Sequence, residues 1–263
     1  MSVALGAGPS GPAGPAETPK SVLERAFSIL DCFGPDDADL SLADLSRRTG
    51  LPKSTVHRLA ATLVAWRGLE RVGERFRLGM RLFELGELVP HQRELRDAAL
   101  PFMEDLYEAT HETVHLGVLD GTDVVYLAKV NGHRRVSAPS RIGGRMPAYC
   151  TGLGKALMAH SSEALVEAII GRGLRPRTPY TITVPSVLRS ALGEVLAQGV
   201  AFDREENTLG VACAAAPVFM GGGRPVAALS VSAPTRRYEP EQLAAAVRTG
   251  ARGLSRALAT SAY

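Results

Sequence analysis

Cysteine is scarce in this chain, with Cys32, Cys150 and Cys213 the only three, and their spacing suits no metal site. An odd, scattered set argues against a disulfide framework and fits a reducing compartment. Long apolar runs are missing too. Nothing approaches the roughly 18–20 consecutive apolar residues that a membrane span requires. The stretch from Met1 to Pro19 is rich in Gly, Ala, Pro and Ser, and has neither the basic start nor the apolar centre of a secretory signal. It buries too little apolar surface to order itself, so residues 1–19 are expected to form a disordered tail. A cytoplasmic protein with no membrane partner is the expectation.

A large excess of one charge is also absent, since the formal net charge is +3. Its distribution is uneven. Between Ser41 and Arg81 nine basic residues stand against three acids, so this window is strongly positive and the remainder is net negative. A basic block inside well-patterned sequence reads as a folded, phosphate-facing surface. At 263 residues, 45% hydrophobic and 22% charged, the chain has globular composition and room for two domains.

The pattern around the basic window is informative. Lys20 to Phe33 reads as a helix, with Val22, Ala26, Ile29 and Phe33 at three- and four-residue steps before Gly34-Pro35. Ser41-Leu42-Ala43-Asp44 has the form of a capping box that opens a second helix, stopped near Thr49 by Gly50. Pro52 suits the first turn of a third helix, where its missing N–H would be unpaired anyway. In that helix Val56, Leu59, Ala60 and Leu63 follow i, i+3, i+4, i+7 and should face a core. Lys53, Ser54, His57 and Arg58 fall on the other face, with Thr55 at its edge.

A short helix, a Gly-containing turn and a helix with polar donors at its start make a helix-turn-helix. The second of its helices enters the major groove and presents its N-terminal residues to base edges. Arg58 could take guanine bidentately, and Ser54 and Thr55 are tolerant donors. Leu69-Glu70-Arg71-Val72, Gly73-Glu74 and Arg75-Phe76-Arg77-Leu78 then read as two short strands about a turn, a wing. Alternation puts Arg75 and Arg77 on one face, where they could follow the phosphate backbone, and Arg48 joins them as a candidate DNA contact. A helical hairpin with a merely solvated basic face would account for the charge, but not for the order and spacing as well.

Ser41–Leu51, the run Pro52-Lys53-Ser54-Thr55-Val56-His57-Arg58-Leu59, and Phe76-Arg77-Leu78-Gly79 resemble the winged helix-turn-helix of the isocitrate-lyase-regulator (IclR) family. The resemblance continues from about Lys20 to Leu258.

Leu82 to Leu100 is helical in pattern, interrupted at Pro90, and reads as a linker helix; Pro101 to Thr110 reads as a further helix. His111-Glu112-Thr113-Val114-His115 matches the H-E-x-x-H spacing of zinc peptidases, which needs both histidines one turn apart on a helix. Here Val114, Leu116 and Val118 alternate with Thr113, His115 and Gly117, and Asp120-Gly121 signals a hairpin returning through Val124–Leu127. On a strand the two histidines lie about 13 Å apart, too far for one zinc. No metal or cofactor is expected.

Met146 to Ala159 sets Gly152 and Gly154 at the start of an Ala/Leu/Met-rich helix. It is not a P-loop, since Tyr149 and Ala156 stand where Gly and Ser or Thr are required. A glycine-flanked helix start can still offer N–H groups to a small anion. Pro185 to Gln198 reads as a helix with Val187, Leu188, Ala191 and Leu192 apolar, and Gly199–Phe202, Val211–Val218 and Val226–Ala233 as strands. Ser230 and Ser232, two apart, share a face that resembles a pocket wall. Pro240 to Leu258 closes as an amphipathic helix. Cys150 as a catalytic nucleophile, or Cys150 or Cys213 as a redox switch, has no motif behind it, and a buried structural thiol is commoner.

The resemblance implies a mostly α N-terminal winged helix-turn-helix domain at 20–81, the linker helix at 82–100 and an α+β, GAF-like effector-binding domain at 101–263. Matched residue by residue, it implies effector contacts at Gly152, Leu153, Asp203, Cys213, Ser230 and Ser232. It further implies a non-enzymatic repressor of double-stranded operator DNA, a homodimer pairing into a dimer of dimers. Its small-molecule effector would be a carboxylate or aromatic acid.

Overall fold

A computed structural model describes residues 21–90, 92–132, 140–221 and 223–261, and the chain divides into two compact units between Val89 and Pro90. The first holds α1 (Val22–Leu30), β1 (Leu40–Ser41), α2 (Leu42–Thr49), α3 (Lys53–Ala65), β2 (Leu69–Val72), β3 (Arg75–Leu78) and α4 (Met80–Gly86). The capping box expected at Ser41 forms: Asp44 N donates to Ser41 Oγ at 3.1 Å, and Ser41 N to Asp44 Oδ2 at 3.2 Å. Gly50, at φ +71°, ends α2 in the left-handed conformation that costs glycine nothing sterically. Pro52 stands one position earlier than expected. At ψ 142° it is the extended cap before α3, not a residue of its first turn. α1 is shorter than the expected 20–33, opening after the Ser21 cap and closing at Asp31, so Phe33 lies beyond it and Val22 is exposed.

Val56, Leu59, Ala60 and Leu63 are all buried, packed with Ile29, Leu45, Leu51, Leu69 and Phe76 in one core. The wing pairs Leu69 with Leu78 through Val72 with Arg75 about Gly73-Glu74. β1 adds a third strand, pairing Leu40 with Phe76, which two residues are too few to signal by alternation. Gly79 closes the wing onto the end of α3: its N–H donates to Gly68 O at 2.9 Å, and a Cβ there would overlap the Arg67 carbonyl.

The second unit runs α5 (Gln92–Thr110), β4 (Thr113–Asp120), β5 (Asp123–Val130), β6 (Arg145–Pro147), α6 (Gly152–Met158), α7 (Glu163–Gly171), α8 (Pro185–Gln198), β7 (Ala201–Arg204), β8 (Val211–Phe219), β9 (Pro225–Pro234) and α9 (Pro240–Ser261). The helix expected at 82–100, with a new one starting at Pro101, does not form. α4 ends at Gly86, and α5 runs unbroken through Pro101. Pro101 removes only the N–H that would bond the Asp97 carbonyl; both residues are exposed, where water can satisfy that carbonyl. Leu95, Ala99, Met103 and Leu106 meanwhile hold the helix down.

All strands pair antiparallel in one sheet ordered β6-β5-β4-β9-β8-β7. Period-two alternation sends Val114, Leu116, Ala214, Ala216, Leu229 and Val231 to one face, against α5 and α9. The helices α6, α7 and α8 supply the apolar side chains over the other face. In α8 the buried residues are Leu188, Leu192 and Val195, whereas Val187, expected on the apolar face, is half exposed. Asp203 lies within β7, opposite Cys213, and not after the strand as its sequence position suggested.

Candidate functional site

The first unit offers an exposed polar face at the start of α3. Lys53, Ser54, His57 and Arg58 are exposed and Thr55 is half-buried. Burial of Val56, Leu59, Ala60 and Leu63 fixes this orientation. The turn before α3 is held by Ser46 Oγ, which donates to Leu51 O at 2.7 Å, and by Leu51 N, which donates to Thr49 Oγ at 3.3 Å. The candidate arginines outside α3 are not free in this way. Arg48 donates to Asp37 at 3.0 Å, Arg75 pairs with Asp39, and Arg77 donates to Glu70 at 2.6 Å. These pairs are partly solvent-exposed, and exposed pairs are weak enough for a phosphate oxygen to replace the carboxylate. The structure therefore brings together α3 and the wing but shows three of the eight predicted DNA contacts already engaged.

The second unit places all six predicted ligand contacts around one cleft. Gly152 and Leu153 come from the start of α6, Asp203 from β7, Cys213 from β8, and Ser230 and Ser232 from β9. The sheet explains why they converge. Across the strands Cys213 faces Ser232, Ser230 faces His115, and Asp203 faces Cys213. Small and polar residues on this face leave room where the opposite face is filled by Val and Leu. Gly152 closes the cleft tightly, since a Cβ there would meet the Cβ of Ala215 at 3.3 Å.

His115 is the main residue that sequence reasoning missed, having considered it only in a rejected zinc motif. It is buried, with Nε2 at 2.9 Å from Ser140 Oγ and Nδ1 at 3.4 Å from Ser232 Oγ, and Ser232 Oγ lies 2.9 Å from Cys213 Sγ. Its place opposite Ser230 in the register was the signal available. Burial, with the charge of Lys129 second, pushes its pKa down to about 3, so the ring is neutral and offers one donor and one acceptor. His111 lies before the strand at φ +54°, so the two histidines do not share a helix turn.

Asp203 accepts from Glu206 N at 2.8 Å. Burial first, and the Glu206 charge second, raise its pKa to about 7. Lys155 and Glu206 form a buried ion pair beside it, which no local periodicity signals. Tyr126, Met146 and Leu153 supply apolar walls, with Tyr126 Oη donating to Met146 Sδ at 3.4 Å. Burial pushes the Cys150 thiol up to about 12, which keeps it protonated at neutral pH and unsuited to nucleophilic work. As drawn in, the side chains leave about 20 Å³ of free space, the room of a single water. A few convergent polar groups among apolar walls are the composition of a small-molecule site.

Two family models match: "IclR helix-turn-helix domain" over residues 22–73 and "Bacterial transcriptional regulator IclR C-terminal" over residues 88–256. Among curated proteins the chain is 40% identical over 225 residues to the HTH-type transcriptional regulator XynR of Escherichia coli (strain K12), covering 84% of this chain and 89% of that one. It is 32% identical over 236 residues to the transcriptional repressor IclR of the same organism, covering 87% and 85%. Among solved structures it resembles an IclR homolog from Microbacterium hydrocarbonoxydans complexed with 4-hydroxybenzoate, at TM-score 0.85 and 31% identity over 91% of this chain and 100% of that one. The Thermotoga maritima IclR matches at TM-score 0.74 and 32% identity over 90% and 98%.

Proposed function

The chain belongs to the IclR family of bacterial transcriptional regulators, and on that premise we propose that it is a cytoplasmic repressor whose operator affinity is set by a small carboxylic acid. The observation that carries this reading is the convergence of His115, Asp203, Cys213, Ser230 and Ser232 with the start of α6 around one cleft, in a chain that also exposes a helix-turn-helix. An aromatic acid suits Tyr126, Met146 and Leu153 as ring contacts, and the 4-hydroxybenzoate complex of a structural relative supports that class. Such a ring exceeds the free space of the cleft, so its entry has to move the walls. That movement is where a ligand can favour one state over another. A coupling of about 1–3 kcal/mol would change operator affinity about 5–150-fold.

Arg58 and Lys53 read bases and phosphates from α3, with Ser54, Thr55 and His57 beside them. Arg75, Arg77 and Arg48 exchange their carboxylate partners for phosphates. The protein works as a homodimer on a two-fold operator. Val22, Leu23 and Phe27 of α1 and Met80 and Phe83 of α4 are large apolar side chains left mostly exposed, as an uncovered interface would be. No helix of the described residues is long and apolar enough to cross a membrane. Fluorescence anisotropy on the DNA upstream of its own gene, near physiological salt and with unrelated duplex as competitor, tests the reading. Tight binding that survives the competitor and weakens on adding 4-hydroxybenzoate supports it. Binding that the competitor abolishes leaves only a phosphate-neutralising surface.

A further inference from the structure

The structure points to a second binding site, remote from the ligand cleft, for a small organic anion. β7 pairs with β8 only as far as Ala215, so the following residues of β8 have no strand partner on that edge, where Phe219 N donates instead to Ser255 Oγ of α9 at 2.9 Å. Pro217 fits that edge because it has no N–H to leave unpaired there. Where β7 stops short, the residues beside α9 line an open groove of about 410 Å³. That volume falls in the range of small-molecule pockets, far above the free space of the cleft described above.

Its walls join an apolar floor to a row of cations. Pro217 and Phe219 come from β8, His160 follows α6, and Arg248, Arg252 and Arg256 line it from α9 at i, i+4 and i+8. The His160 ring stands edge-on to Phe219 at 5.1 Å, and its Nε2 is out of solvent with no hydrogen-bond partner. Like charges at this spacing repel one another along a helix. No acid lines the groove, and among the described residues none of the three guanidinium groups is paired with a carboxylate. Arg248 donates to the Gln198 carbonyl at 3.2 Å, which fixes one end of the row and leaves the other two exposed.

We propose that this groove takes an anion with at least two negative charges and a compact apolar body, an aryl phosphate being the simplest case. The apolar body would lie on Phe219 and Pro217. Arg252 and Arg256 would hold the phosphate, whose oxygens match the guanidinium fork in pairs. Occupancy would relieve the repulsion along α9.

Isothermal titration of phenyl phosphate into the full-length protein tests this, with phenol as the uncharged control. The expected result is saturable binding of one phenyl phosphate per chain and none of phenol. R252A/R256A should weaken it at least tenfold, whereas Asp203→Asn in the other cleft should leave it unchanged. Both arginines are exposed, so the double variant should keep its fold, which circular dichroism checks. Absence of saturable binding overturns the proposal, as does binding that follows Asp203→Asn instead. A change of oligomeric state in R252A/R256A, read by light scattering, also overturns it, because the row would then hold a second copy of the chain.

Discussion

The face of α3 and the floor of the ligand cleft both gather polar side chains, under opposite physical conditions. On α3, Lys53, Ser54, His57 and Arg58 stand in water, and only the apolar side of their own helix fixes where they point. In the cleft, His115, Asp203, Ser230 and Ser232 are buried, and each is positioned by a register partner on the neighbouring strand. A solvated group keeps its charge for a phosphate or a base edge. A buried one gives up charge, as His115 does, or takes it on only as pH rises past about 7, as Asp203 does. The difference teaches that charge is kept where water solvates it, whereas in the cleft position and hydrogen-bond partners are set by the fold.

The comparison breaks most visibly where the exposed face depends on a buried anchor. Phe76 is buried between two arginines of the wing, so Phe76→Ala should cost about 3–5 kcal/mol. Urea denaturation followed by circular dichroism would show it, together with loss of DNA binding. A loss below about 1 kcal/mol would mean the wing is not part of the core.

Next comes the titration of Asp203. Its folded pKa, about 7, lies above the ordinary carboxyl value of 3.8, so the folded state binds the proton more tightly than the unfolded chain. Stability is therefore full below about pH 4 and falls as pH rises to about 7, by on the order of 4 kcal/mol for this group. Asp203→Asn should flatten that fall. Parallel melting curves for both proteins across pH 4–8 would remove Asp203 as its origin.

Arg58→Ala should weaken specific binding by about 1–3 kcal/mol, since it deletes the guanidinium proposed to read guanine from α3. Anisotropy with operator and random duplex measures this, and unchanged discrimination would move base reading elsewhere. The smallest effect belongs to Arg77, because its bond with Glu70 must first be exchanged. Arg77→Ala should weaken all sequences alike and reduce the salt slope by about one. Glu70→Gln should do the reverse, and an unaltered slope in both would take Arg77 off the DNA backbone.

Much of the first unit was legible in the chain because its signals are local. The capping box at Ser41, the stop at Gly50, the buried stripe of α3 and both wing strands depend on residues within a few positions of one another. Local rules also misled. The sequence places a boundary at Pro101 and Pro52 in a first turn, yet α5 runs through Pro101 where both it and Asp97 are exposed, and Pro52 instead caps α3. Strand β1 was invisible, since its pairing with β3 is its only evidence.

In the second unit alternation alone put Ser230 and Ser232 on one face and kept His115 off a zinc helix. The sequence by itself thus determined most helices of the first unit, its wing and the polar side of the strands it signalled, because periodicity and turn chemistry act over a few residues. Only the tertiary structure decided that His115 completes the cleft, that Lys155 meets Glu206, and that β7 ends short of α9's arginine row. Those depend on register and packing between segments as far as 117 residues apart, and no local pattern carries that information.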